Sequence, residues 1–522
     1  MPFLAPHSGR WYLTSHRTEL ATSIRMEHRM AKVFSPLISK SKYLEGLQCH
    51  KLIWFRYNAK DKIPPIDAST QAIFDQGHLV GNYAKKLFRG GVEIEAKPWE
   101  FAAIEKQSMD ALTKRVPLFE AGFSHNGAFA RFDILNPIGN MEWDLVEVKS
   151  STEVKEVNID DLSVQYYIAA GCGLKIRSCL LYYINNQYIR RGEIDPNKLF
   201  SSSDVTPDVR ARLKEVPTNL AAMQEAIRLK TFPDIPIGPH CSDPYDCILM
   251  DLCWNFLPEH NVFTLYRSRR SFDWFTAGIL ELKDVPADTE FTETQQIQIE
   301  TLRSGRPHVD SGAIAKFLET LRYPISLLDF ETFNTAIPAY DNLRPYQRVP
   351  FQFSLHIQEE RGEQPQHHSY LADGVSDPRP DVLSKLKQLL GSSGSIVCYN
   401  AAFEKGVLKE CSEAFPEFGE WYETIEERIV DLIVPFRSFA YYHPDQKGSA
   451  SLKVVLPVLT GKSYEGMPIA DGDTASREYL RVTFGKVEPS DRDSVRRQLE
   501  AYCGYDTMAM IWILERLYRL TS

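Results

Sequence analysis

The run Ile325-Ser-Leu-Leu-Asp-Phe-Glu-Thr332 places two carboxylates inside a short apolar segment. A β-strand alternates its side chains, so Asp329 and Glu331 are expected on one face of a sheet. Two carboxylates fixed side by side repel each other unless a cation lies between them. The spacing therefore points to a sheet whose face offers a site for a hard divalent metal.

The partners such a site needs occur later in the chain. A second apolar strand, Ser395-Ile-Val-Cys-Tyr399, leads into Asn400-Ala-Ala-Phe-Glu404, with Asn400 expected as a helix N-cap and Glu404 in the first helical turn. Tyr502-Cys-Gly-Tyr-Asp506 falls in a helical stretch, and Tyr502 and Asp506, at i and i+4, share one helix face. Asp329, Glu331, Glu404 and Asp506 could hold two Mg2+ or Mn2+ ions for phosphodiester hydrolysis, with the Tyr502 hydroxyl orienting water. Asp431 is a supporting acid, and Lys453 either reaches a phosphate or is a solvated lysine.

In the first half, Gly127–Leu135 alternates as a strand, Asn136-Pro-Ile-Gly-Asn140 reads as a turn, and Met141–Lys149 returns as its hairpin partner. The hairpin sets Asp133 beside Glu147 and puts Glu147 and Lys149 on one face. This is a metal-binding, lysine-assisted constellation or an ordinary charged hairpin surface. His78 lies in a helical segment upstream, and Gln165-Tyr-Tyr167 in one downstream.

Three cysteines fall within a short span, Cys241-x5-Cys247-x5-Cys253, and Cys49 lies far upstream. Four thiolates suit zinc or an iron–sulfur cluster, although zinc modules usually space their ligands more tightly. Cys172, Cys179, Cys398, Cys411 and Cys503 sit on apolar segments and read as core residues. Nine cysteines are too few for a disulfide scaffold in 522 residues, so a reducing, cytoplasmic compartment is the default.

These motifs carry two resemblances. Asp329-x-Glu331, Asn400-x-x-Phe403-Glu404 and Tyr502-x-x-x-Asp506 resemble the DEDD 3′–5′ exonucleases of the RNase H-like superfamily, tyrosine subtype. The second motif of that family normally ends in Asp, so Glu404 reaches farther by a methylene. The order His78, Glu120, Asp133, Glu147-x-Lys149, Gln165 resembles the RecB-type PD-(D/E)XK nucleases. That resemblance implies that His78, Asp133 and Glu147 bind metal, that Lys149 is catalytic and that Gln165 supports the site. The cysteine spacing resembles iron–sulfur members of the same group, which implies a 4Fe–4S cluster on Cys49, Cys241, Cys247 and Cys253, with structural zinc as the alternative.

Together the motifs imply an α/β chain with two domains. A restriction-endonuclease-like core over residues 36–254 is joined by a helical connector, 255–315, to an RNase H-like exonuclease fold over 316–522. Residues 1–35 read as a poorly ordered extension without a secretory apolar core. The whole order, most specifically Ser39-Lys-Ser-Lys-Tyr43 through Cys49, the cysteine triad and Leu328-Asp-Phe-Glu-Thr332, is similar to an uncharacterised bacterial family of unknown function.

The expected activity is nuclease action on nucleic acid, with single-stranded or duplex-end DNA favoured and RNA possible; a non-catalytic nucleic-acid-binding protein is the alternative. A net charge of −9 argues against a broadly basic surface and requires any basic groove to be local. No apolar run reaches the roughly 18 residues of a membrane span. Thr460-Gly-Lys-Ser463 is not a phosphate-binding P-loop, because position 456 is leucine where that motif needs glycine.

Overall fold

The computed structural model describes residues 36–522 except Ala287, so the expected N-terminal extension lies outside the described residues. The chain is α/β and is built on two mixed sheets with separate cores.

The first sheet contains β1 (Ile38–Ser39), β2 (Val92–Glu93), β3 (Leu118–His125), β4 (Ala128–Ile138), β5 (Glu142–Lys149), β6 (Lys175–Ile184) and β7 (Phe200–Asp204). Its order is β2-β3-β4-β5-β6-β7, with β1 parallel to β4. The helices that bear on its chemistry are α1 (Lys40–Gln48), α2 (Ala68–Lys85) and α3 (Glu156–Gly171). The expected hairpin is present, with Ile134 opposite Val146 and Leu135 opposite Leu145. Its turn is shorter than expected, because Asn136 and Pro137 still pair with Asp144 and Trp143. Proline is tolerated there because β3 pairs with β4 only as far as Leu135, so the missing N–H removes no bond on that side.

The linking region is less helical than its composition suggests. It holds the short helix Ser271–Thr276 and isolated turns packed around Val262, Leu265, Trp274 and Leu282. Its Thr/Glu/Gln-rich stretch begins the helix Glu293–Ser304, where Thr292 and Gln295 form a capping box.

The second sheet follows β8 (His308–Val309), which pairs only with β14 (Tyr441–Tyr442). It contains β9 (Ile325–Phe333), β10 (Val349–Gln358), β11 (Gln366–Leu371), β12 (Ser395–Cys398) and β13 (Ile429–Asp431) in the order β11-β10-β9-β12-β13. The first three strands are antiparallel, and β12 and β13 run parallel to β9. Three helices complete the site: α4 (Ala402–Ala414), α5 (Leu452–Thr460) and α6 (Pro489–Leu520). Alternation along β9 divides the core. Ile325, Leu327 and Phe333 pack on the side of α6, while Leu328 and Phe330 pack with α4 residues Val407 and Leu408.

The two halves touch through the segment after β9. The Ala336 N–H donates to Gln76 of α2 at 2.9 Å, and Arg190 donates to the carbonyls of Pro338 and Ala339 at 2.8 and 2.6 Å. No helix among the described residues is long and apolar enough to cross a membrane.

Candidate active sites

Asp329 and Glu331 share the face of β9 that α6 covers. Potential ligand atoms of Asp329, Glu331 and Cys503 all lie within 4.8 Å of one another. Cys503 is fully buried and its thiol donates to Asp329 Oδ2 at 3.6 Å. Read from sequence as a core residue, it is one, and it also forms one wall of the acidic site. Asp506, one helical turn later, accepts hydrogen bonds from Tyr464 and Tyr502. Tyr464 follows the rejected P-loop-like stretch and was not anticipated.

The electrostatics are those of crowded, desolvated carboxylates. Burial, and then Asp506, push Glu331 up to about 8. Burial followed by Asp506, Glu331 and Glu404 holds Asp329 well above the usual carboxylate range. Asp506 rises to about 6 through burial, although both tyrosines and Lys453 favour its charged form. Lys453 at the start of α5 is exposed, and its ammonium stands 5.7 Å from the Tyr502 ring centre and 5.9 Å from that of Tyr464.

Glu404 enters from α4. It is buried, burial lifts it to about 8, and its Oε2 is buried without a hydrogen-bond partner. Asn400 is not the helix cap. It adopts φ +69°, and Ala401 occupies the cap position. The reason is Asp431, which accepts the N–H groups of Asn400 at 2.9 Å and Ile433 at 3.1 Å and so fixes the turn ahead of α4. Asp431 thus shapes the loop that carries Glu404. The partnerless buried oxygen of Glu404, close enough to Asp329 to raise its pKa, is a donor that a divalent cation could satisfy.

The N-terminal constellation is assembled differently. Asp133 Oδ2 accepts the Val148 N–H at 2.8 Å. Glu147 is almost fully buried and both of its oxygens are used. Lys40 reaches both at 3.0 Å, Lys149 reaches Oε1 at 2.7 Å and Gln165 reaches Oε2 at 2.7 Å. Asp161, also buried, takes Lys149 at 2.7 Å and Gln165 at 2.9 Å. Burial, then Asp133 and Asp161, raise Glu147 to about 7. Burial alone would raise Asp161 too, but Lys149 and Lys40 hold it below the usual range.

Asp133, Glu147, Lys149 and Gln165 therefore meet as expected, whereas Lys40 and Asp161 were not foreseen. His78 lies exposed on α2, with no hydrogen bond or ion pair to this cluster. Glu120 is engaged by Lys85 at 3.3 Å and Arg131 at 3.5 Å.

The four cysteines Cys49, Cys241, Cys247 and Cys253 line one cavity, with Leu52, Ile237 and Leu249 as apolar wall. No three of their sulfurs lie within 4.8 Å of one another. A tetrahedral zinc site would bring its sulfurs to about 3.8 Å from one another, closer than any three of these stand.

Fold and site thus define a two-sheet α/β protein with a buried carboxylate cluster whose Asp329, Glu331 and Cys503 could hold a metal ion. Residues 326–451 match a domain of unknown function, DUF2779. The match includes Asp329, Glu331 and Glu404 but stops before Tyr502 and Asp506. The chain is also similar to the uncharacterized protein UU173 of Ureaplasma parvum, 25% identical over 209 residues, covering 35% of this chain and 29% of that protein. It is 26% identical over 204 residues to the uncharacterized MG366 homolog of Mycoplasma pneumoniae, covering 35% and 31%. With the uncharacterized protein MG366 of Mycoplasma genitalium it shares 26% over 205 residues, covering 36% and 31%. The matched stretch spans less than a third of each of these relatives. These likenesses support kinship with a bacterial family of unknown function.

Proposed function

We propose that the chain is a metal-dependent 3′–5′ exonuclease acting at the β9/α6 site, with DNA as the favoured polymer. The observation that carries this reading is the burial of Asp329, Glu331, Glu404 and Asp506 in one acidic cluster, where Asp329 feels the charges of the other three and the nearby cations are Lys453, toward Glu331 and Asp506, and Arg348, toward Glu404. The sheet order β11-β10-β9-β12-β13 and the Tyr502/Asp506 pair support the RNase H-like, DEDD assignment. Divalent ions bound there would stabilise the attacking and leaving oxygens of an in-line displacement. Tyr502 would orient the attacking water, and Lys453 would meet a phosphate at the mouth.

In the same reading the N-terminal sheet is a RecB-type fold stapled by a 4Fe–4S cluster. Four thiols on one cavity, no three as close as a zinc ion would hold them, support the cluster over zinc, and ligation of Cys49 and Cys253 would tie together distant parts of the chain.

The test is a degradation assay on 5′-labelled single-stranded DNA and RNA with Mg2+ or Mn2+, using protein purified without oxygen. Wild type should give a 3′-shortening ladder that Asp329→Ala abolishes and Tyr502→Phe slows by about 100-fold or more. A wild-type protein that binds either polymer but shortens neither with either metal would make it a binding protein. A ladder confined to RNA would reassign the polymer.

A further inference from the structure

We infer that the Lys40 ammonium is the resident cation of the N-terminal carboxylate cluster, so that this cluster takes no divalent metal and cuts no phosphodiester bond. The inference concerns the first sheet alone and stands apart from the exonuclease reading of the second.

Lys40 stands where a metal would have to stand. Its Nζ lies 3.0 Å from both oxygens of Glu147 and 3.8 Å from Asp133 Oδ1 and Asp161 Oδ1. A magnesium ion needs oxygens about 2.0–2.1 Å away in near-octahedral array. Glu147 has no open lone-pair direction for this, because Lys40, Lys149 and Gln165 already use its two oxygens. Asp133 has one oxygen committed to the Val148 N–H. His78, which the family resemblance would add as a ligand, is exposed on α2 outside the network.

The lysine is also anchored. Ile38 and Ser39, just before it, pair with Ala128 and Phe129 of β4, the strand that bears Asp133. Lys40 then opens α1, an unfavourable end of a helix for a positive charge unless carboxylates compensate it. Two lysines face three acids within this cluster. A divalent ion would have to expel Lys40 or share its oxygens with an ammonium about 3 Å away, and like charges at that range repel strongly.

The experiment counts bound Mn2+ by electron paramagnetic resonance in the full chain, with the second site silenced by Glu331→Gln and Asp506→Asn. With Lys40 intact, this protein should bind no Mn2+ at micromolar concentration. Adding Lys40→Ala, or Lys40→Met where alanine fails to fold, should create one site on the order of 100-fold tighter, and Glu147→Gln should abolish it again. Micromolar Mn2+ binding with Lys40 intact that Glu147→Gln removes would overturn the inference, even if no Lys40 variant folds. A folded Lys40 variant that gains no Mn2+ would overturn it as well. Failure of the unmodified chain to bind any Mn2+ would support it while sinking the exonuclease reading.

Discussion

Glu331→Gln should stabilise the metal-free protein at alkaline pH while abolishing the proposed exonuclease activity. Burial and Asp506 raise Glu331 from an ordinary 4.5 to about 8. An acid whose pKa rises on folding binds its proton more tightly in the native state. Stability is therefore full below the unfolded value and is lost as pH climbs from about 4.5 towards 8. Treated alone, Glu331 would destabilise the fold by about 4 kcal/mol at pH 8. Proton sharing with Asp329 and Asp506 reduces this to about 2 kcal/mol. Glutamine keeps the shape and removes the charge, so the melting temperature in chelator at pH 8 should rise by about 4–8 °C. At pH 5 the two proteins should melt together. Saturating Mn2+ should reverse the order at pH 8, because it stabilises only a protein that binds it. Scanning fluorimetry at the two pH values, with chelator and with Mn2+, reads all of this. A variant that melts at or below wild type at pH 8 in chelator would refute the idea that uncompensated charge dominates the site.

Two further outcomes follow from sulfur. Cys503 stands with Asp329 and Glu331, and a thiol favours softer metals over Mg2+; Cys503→Ser should lower the ratio of Mn2+-supported to Mg2+-supported rate by about tenfold, and an unchanged ratio would make the thiol a spectator. If the proposed 4Fe–4S cluster is held there, Cys247→Ser should abolish the brown colour it would confer, about four irons per chain, and lower the melting temperature by about 10 °C; full iron content in the variant would exclude Cys247 as a ligand.

Chemistry written within a single element was legible in the sequence. Period-two alternation placed Asp329 beside Glu331 and set Glu147 and Lys149 on one face. The i, i+4 rule put Tyr502 with Asp506, and the same rule could have revealed Asp161, which shares a face of α3 with Gln165 and hydrogen-bonds to it. The hairpin register was readable because both strands keep an apolar side. The turn before α4 was misread because Asn favours both caps and left-handed turns, and a carboxylate 31 positions away decided between them.

Meetings between elements that neither a hairpin nor a family resemblance foretold were not legible, and α1 shows why. Lys40 is 107 positions from Glu147, and Tyr464 is 42 from Asp506; no local pattern encodes either meeting. Both depend on where a helix or loop docks, which is set by packing rather than by periodicity. Within nine residues α1 carries an ammonium to the carboxylates at one end and hands over to Cys49, on the cysteine cavity, at the other. The Ser39–Cys49 segment, noticed only for its resemblance, is thus a physical link. Strand pairing at Ile38 and Ser39 holds the lysine end, and the packing of Cys49 against Leu52, Phe55 and Leu249 holds the thiol end. A short helix fixed at both ends keeps the backbone of its first residue beside the carboxylates, so the lysine has only its own side-chain rotamers to order when its ammonium meets them.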